Sequence, residues 1–388
     1  MAVDATRQVR QSRQRKGLMF TAMATLALLP GLPAHAAEPD EDVARLFTEL
    51  KLEESAQPVR ERKGWRKPKK IVILGGGASL LAQVAPGVEI VPASSVASAA
   101  AAAKDADIVI GLTSDAGICE PPIIDNAAEL RWIMSLSAGV ERCVAIQSVH
   151  DRNLLLTNMR GVASAAIAEH AVALALSLAR GIDTFVTNQA QGRWSRQDAA
   201  ATGMQVLDGK TMLVVGLGGI GTEVARRGHA LGMKVVATRA SSRNGPDFVS
   251  YVGLPDEMMK LAKNADVIVN AAPLTSATTG IFNATFFAAL KPSAFFINVA
   301  RGQSVVTADL IAALNQGRIA GAGLDVADPE PLPPEHPLWR APNVIITPHV
   351  SGSSDIPNEL RPALMRENLR RYIAGEKMIA VVDLQKEY

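Results

Sequence analysis

Three residues of this chain could together grip an anion and move a proton. Arg301 stands in Asn298-Val-Ala-Arg-Gly302, Glu330 in Asp325-Val-Ala-Asp-Pro-Glu-Pro331, and His349 in Thr347-Pro-His-Val350. A guanidinium binds a carboxylate through a planar fork and polarises a carbonyl beside it. An imidazole can give a proton to the carbonyl oxygen while hydride arrives at carbon. A nearby carboxylate keeps that imidazole oriented and charged. These are the groups that reduction of a 2-oxo acid requires. Taken singly, each has a plain structural reading as a surface ion pair or a capped turn. Taken in this order, after the glycine turn Gly216-Leu-Gly-Gly-Ile-Gly221, they support the chemical one.

The glycine turn is weak evidence alone, and its context strengthens it. Thr211–Val215 is an apolar strand entering the turn, and a helix over about Ile220–Leu231 leaves it. That is the setting of a dinucleotide site. Gly216 permits the tight turn, Gly218 lets the backbone approach a pyrophosphate, and Gly221 lets the helix pack on the strand. The helix N-terminus then stabilises phosphate charge. An NAD site usually carries an acid at the end of the next strand. Here that end reads Ala237-Thr-Arg239-Ala-Ser-Ser-Arg243, with no acid. Arg239, Arg243 and the two serine hydroxyls suit a 2′-phosphate, so the expected cofactor is NADP or NAD, with NADP preferred.

The elements around these residues alternate. Ile71–Leu74, Val88–Val91, Asp107–Gly111 and Arg131–Ser135 read as strands, with Val96–Lys104 and Pro121–Ala128 as helices. A long Ala/Leu/Val-rich helix follows at Ser164–Arg180. The alternation then restarts, with strands at Thr211–Val215, Lys234–Thr238, Ala265–Asn270, Ala294–Val299, Ala320–Leu324 and Val344–Thr347. Apolar strands separated by helices imply parallel sheets covered on both faces. The fold class is therefore α/β, with two doubly wound parallel-sheet domains.

From about Lys70 onward the chain resembles the D-isomer-specific 2-hydroxyacid dehydrogenases, the glyoxylate and hydroxypyruvate reductase branch above all. The matching segments are Ser137-Ala-Gly-Val-Glu141, Ala168-Glu-His170, Leu207-Asp-Gly-Lys210, Ala272-Pro-Leu274, Gly323-Leu-Asp-Val326 and the triad segments. The resemblance implies a Rossmann cofactor domain at 164–348, inserted in a flavodoxin-like substrate domain made of 70–163 and 349–388. It implies that Arg301 binds the substrate carboxylate and that His349 is the acid in reduction, with Glu330 raising its pKa. It implies substrate contact at Ala138 and Gly139. It places Gly219 and Ile220 at the pyrophosphate, Arg239 at the ribose, and Ala272, Ala300 and Asp325 near the nicotinamide. Ala272 stands where a hydroxyl residue is common, so any contact there is through backbone. The activity it implies is hydride transfer between NAD(P)H and a small 2-oxo acid. A same-fold dehydrogenase of formate or phosphite and a non-catalytic dinucleotide sensor are the alternatives.

Composition narrows the partners. Net charge is +2 and aromatics make up only 4%, so a nucleic-acid partner has neither electrostatic nor stacking support. No Cys/His cluster has zinc spacing, so no metal is expected. Cys119 and Cys143 could pair or stay as buried thiols. Residues 1–36 carry a basic run (Arg7 to Lys16), an apolar stretch Leu18–Leu29 and an Ala-x-Ala pattern at Ala34-His-Ala36. That order predicts a signal peptide and a periplasmic or secreted protein, cytoplasmic if the leader is not functional. The apolar stretch is too short for a stable membrane span. Residues 37–69 read as a polar spacer with one short helix around Asp42–Leu52. The expected assembly is a homodimer, with the Ser164–Arg180 helix as its candidate surface.

Overall fold

The computed structural model describes residues 39–113, 117–354 and 360–388. The expected signal peptide lies outside the described residues. Strands are numbered here in chain order. Glu54–Pro58 is β1. Lys70–Leu74, Glu89–Ala93, Ile108–Gly111, Trp132–Ser135 and Leu155–Thr157 are β2 to β6. Thr211–Val215, Lys234–Thr238, Tyr251–Gly253, Val267–Asn270, Phe295–Asn298, Gly321–Leu324 and Val344–Ile346 are β7 to β13, and Lys377–Ile379 is β14.

β2 to β6 form a five-stranded sheet in the order β3-β2-β4-β5-β6, and every pairing is parallel. β7 to β13 form a seven-stranded parallel sheet in the order β13-β12-β11-β10-β7-β8-β9. The central strands are apolar because both faces of each sheet are covered. In β7, Met212 and Val214 enter one core while Leu213 and Val215 enter the core of the opposite face. β4 divides likewise, Ile108 and Ile110 to one side and Val109 to the other. A period of two with apolar residues on both sides is the mark of a central parallel strand.

The chain leaves the first sheet after β6, builds the second, and returns. The returning helix Leu360–Ala374 packs Leu364, Leu369 and Tyr372 into the core of the five-stranded sheet. There Tyr372 stacks on Trp132 at 4.9 Å between ring centroids. The larger sheet unit is thus inserted in the smaller.

The reading of residues 37–69 as a spacer is corrected from Pro39 onward. Pro39–Thr48 is a helix, and Leu46, Leu52 and Val59 are buried in the core that holds Leu364 and Tyr372. β1 pairs antiparallel with β14. Glu54 meets Arg371 at 2.6 Å, and Asp42 meets Arg366 at 3.4 Å. Three apolar anchors and a strand partner from the far end of the chain order a segment whose composition is polar. In the Ser164–Arg180 helix, Ala168, Ala171, Leu174, Ala175 and Leu178 are buried in one core face of the seven-stranded sheet, so its apolar stripe is spent within the chain. No single helix among the described residues is long and apolar enough to cross a membrane.

Candidate active site

Both sheets present the C-terminal ends of their strands to one cleft, where ligands bind in doubly wound folds. Arg301 follows β11, Asp325 follows β12, His349 follows β13, and Ala138 and Gly139 follow β5. Each side chain is therefore carried on the first turn after a rigid strand.

His349 and Glu330 meet as expected. Nδ1 of the imidazole lies 2.9 Å from Oε2 of Glu330. The other carboxylate oxygen, Oε1, accepts the N–H of Ala327 at 2.9 Å, which fixes the carboxylate plane. Burial alone would push Glu330 upward, but the bonds from His349 and the Ala327 N–H hold it below the usual carboxylate range. His349 moves the opposite way. The bond to Glu330 raises the imidazole above its ordinary value, against partial burial and the nearby positive charge of Arg301.

The turn that carries His349 is held in an unusual backbone conformation. His349 has φ +53°, a left-handed value that non-glycine residues seldom adopt. Asp325 secures it. The N–H of His349 donates to the Asp325 carbonyl at 2.8 Å. The N–H groups of Val350 and Ser351 and the Thr347 hydroxyl donate to the Asp325 carboxylate at 3.0, 3.0 and 2.6 Å. Asp325 is almost fully buried, yet these bonds keep it below the usual carboxylate range despite a burial that pushes it up. His170 completes the support, its Nε2 lying 2.8 Å from the Thr347 hydroxyl. The sequence marked Asp325 for the nicotinamide and His170 only as part of a family segment. Here both organise the histidine turn.

Arg301 reaches across the cleft. Its Nε donates to Oε1 of Glu141 at 2.8 Å, and Nη1 donates to the Ala300 carbonyl at 2.7 Å. It lies directly on Gly139: a Cβ there would fall 1.6 Å from Nη2. Only glycine permits that approach. The carbonyls of Ala138 and Gly139 are tied off by Asn158 at 2.7 Å and Thr113 at 2.9 Å. Among the described residues their N–H groups donate to nothing, which leaves both free for an anion. Glu141 entered the sequence reading only as part of a family segment; its contact with Arg301 depends on two domains meeting, which no local pattern encodes. Beneath Arg301, the buried amides Asn270 and Asn298 bond at 3.0 Å, and Asn270 and the Arg301 carbonyl both meet Ser304. This network fixes the loop ends and was also missed.

The glycine turn lies where the sequence placed it. Gly216 has φ +94°, and a Cβ on Gly221 would fall 2.0 Å from the Gly216 carbonyl oxygen. Gly218 caps the Gly219–Ala230 helix with no side-chain bond, and open space surrounds the position of its missing Cβ. The first-turn amides, those of Gly219 and Ile220 among them, thus face a cradle suited to a pyrophosphate. Ala272 backs onto Gly216, and its N–H donates to Asn270 at 3.2 Å, so its carbonyl remains for a ligand. Ala300 gives its N–H to Asn298 at 3.1 Å. Of the two arginines after β8, Arg243 is engaged by Glu257 at 2.5 Å and Tyr251 at 3.0 Å. Among the described residues Arg239 meets no acid; it bonds the Ser241 hydroxyl at 3.0 Å and the Asn244 carbonyl at 3.3 Å.

Comparison with known proteins agrees with this layout. The model for the NAD binding domain of D-isomer specific 2-hydroxyacid dehydrogenases matches residues 172–351, and that for their catalytic domain matches 77–215. A glyoxylate reductase/hydroxypyruvate reductase of Mus musculus is 34% identical over 257 residues, covering 66% of this chain and 78% of that protein. A glyoxylate reductase of Pyrococcus furiosus is 32% identical over 283 residues, covering 70% and 81%. Among solved structures, a family member from Aeromonas salmonicida superposes with a TM-score of 0.69 at 30% identity, covering 81% of this chain and 99% of that one. One from Xanthobacter autotrophicus, solved with NADPH and MES, gives 0.69 at 28% identity, covering 83% and 100%.

Proposed function

The chain belongs to the D-isomer specific 2-hydroxyacid dehydrogenase family, and from that premise we propose that this NAD(P)-dependent enzyme reduces a small 2-oxo acid of the glyoxylate or hydroxypyruvate type, with NADPH as the preferred donor. The observation that carries the reading is the His349–Glu330 pair together with a guanidinium that lies on the Gly139 loop. The substrate carboxylate is bound by Arg301 and the N–H groups of Ala138 and Gly139. Its 2-oxo oxygen faces Nε2 of His349, the imidazole nitrogen left free by Glu330. His349 gives its proton to that oxygen in reduction and takes it back in oxidation. Glu330 keeps the imidazole charged beforehand and in one orientation. Gly218, Gly219, Ile220 and Arg239 are the residues that hold the dinucleotide, which supplies the hydride. Preference for NADPH rests on Arg239, the cation at the ribose position with no acid partner, and on the NADPH held by the Xanthobacter relative.

The test mixes the full-length protein with NADPH or NADH and a panel of 2-oxo acids, with NADP and NAD plus formate and phosphite in separate arms, and follows absorbance. Turnover is expected with glyoxylate or hydroxypyruvate, faster with NADPH. His349→Ala should abolish it while dinucleotide affinity stays the same. Saturable dinucleotide binding without turnover of any acid would replace the reading with a sensor.

A further inference from the structure

We propose that Glu141 is a positioning residue for Arg301, holding the guanidinium from the opposite wall of the cleft so that one edge stays turned to the substrate carboxylate. The inference rests on the substrate reading above and adds to it a residue that does not touch the substrate. Three contacts define the guanidinium plane. Nε is bonded to Glu141, Nη1 to the Ala300 carbonyl, and Nη2 rests on bare Gly139. Ala300 belongs to the same loop as Arg301 and can fix only one end. Glu141 belongs to the other sheet, following β5 as the first residue of the Glu141–Val144 helix. That helix is itself anchored, because Cys143 is bonded to Cys119. The carboxylate therefore stands on an anchored base, on the wall opposite the arginine's own loop.

Stability is a poor explanation of the pair. Both side chains are partly open to solvent, at 25% and 29% exposure, and ion pairs so placed contribute little to folding. Glu141 also sits at a helix N-terminus, where an acid is favourable, but the helix has only four residues and its dipole is correspondingly small. What the contact does is order a long side chain before substrate arrives. An arginine free to rotate must be immobilised on binding, and that cost falls on substrate affinity. Held at Nε by a neighbour on the far wall, it is already ordered, and its preorganised fork meets the carboxylate directly.

The test compares Glu141→Ala and Glu141→Gln in the full-length protein with saturating NADPH. The glutamine keeps an acceptor for Nε and removes the charge; the alanine removes both. Glu141→Ala is expected to raise KM for glyoxylate, and Kd for the unreactive analogue oxamate by calorimetry, by roughly tenfold. NADPH affinity and the melting temperature should stay the same. Glu141→Gln is expected to return both constants to within about threefold of the parent protein, since a single acceptor oxygen restores the hold. Oxamate affinity unchanged in the alanine variant, or a glutamine variant as impaired as the alanine, overturns the assignment. Oxamate binding separates the two readings. A parent protein that turns over no acid, yet loses oxamate with alanine and regains it with glutamine, would remove the proposed reaction and leave the positioning role standing.

Discussion

At the scale of single residues, the site is a set of charges whose neighbours decide their protonation. The imidazole of His349 is raised by Glu330 and opposed by burial and Arg301. In reduction the imidazolium must be present, so the rate falls as pH rises through the pKa of His349. Raising that pKa moves the fall to higher pH and widens the range in which the acid is ready. In oxidation the neutral ring is needed, so the same shift moves the rise in rate to higher pH. Glu330→Gln keeps a bond to the ring but removes the negative charge that favours the cation. The alkaline limb of kcat/KM for reduction should therefore move downward, and above it the rate should drop by about tenfold for each unit moved. The limb for oxidation should move in the same direction. Parallel pH profiles of the parent and Glu330→Gln check this, and coincident limbs would separate Glu330 from the proton chemistry. Arg301, Glu330 and His349 were legible in the sequence because residue type and chemistry coincide. Glu141 was not, since its meaning lies in a contact between domains.

At the scale of elements, apolar runs predicted the central strands well. Thr211–Val215 and Lys234–Thr238 agree to the residue, because a strand buried on both faces must be apolar along its length. The edges were illegible for the converse reason. β1 reads Glu-Ser-Ala-Gln-Pro and β14 Lys-Met-Ile, and each becomes a strand only by pairing with the other end of the chain. The two cysteines, left open in the sequence, are bonded, with Cα atoms 4.7 Å apart and a sequence separation of 24. Closing a loop of that size contributes about 3 kcal/mol on a chain-entropy account. The bond joins the segment after β4 to the helix that carries Glu141. It also favours an oxidising compartment, and with the leader pattern it supports our proposal that the protein is exported. Protein isolated without reductant should show no thiol labelling after unfolding in denaturant. Reduction, or Cys119→Ser, should lower the denaturant midpoint by an amount equivalent to about 2–4 kcal/mol. Two labelled thiols in the native isolate would contradict both the bond and its compartment.

At the scale of the whole molecule, the remaining question is what covers the apolar surface that the monomer leaves open. Trp194 is 94% exposed, whereas Trp132 is fully buried and bonds the Thr157 hydroxyl at 3.0 Å. Ile182 and Val186 are exposed on the Ile182–Ala190 helix, and Met204 and Val206 on the irregular stretch after the Gln197–Ala201 helix. These residues lie between the long Ser164–Arg180 helix and β7, in a stretch that adds nothing to either sheet. A large aromatic and a run of aliphatics left in water on one connecting segment is more than scattered surface apolarity. We propose that a second copy of the chain covers them, which keeps a homodimer but transfers its contact from the long helix to the arm beyond it. Each side chain of this size adds about 1.5–3 kcal/mol when it passes from exposed to buried, so few are needed to hold an interface. Light scattering behind size exclusion should give twice the chain mass for the parent protein at micromolar concentration. Val186→Asp with Trp194→Ala should give the monomer while circular dichroism stays unchanged, because neither side chain contributes to a core. A parent protein that elutes as a monomer throughout would leave Trp194 exposed for some other purpose and end the dimer reading.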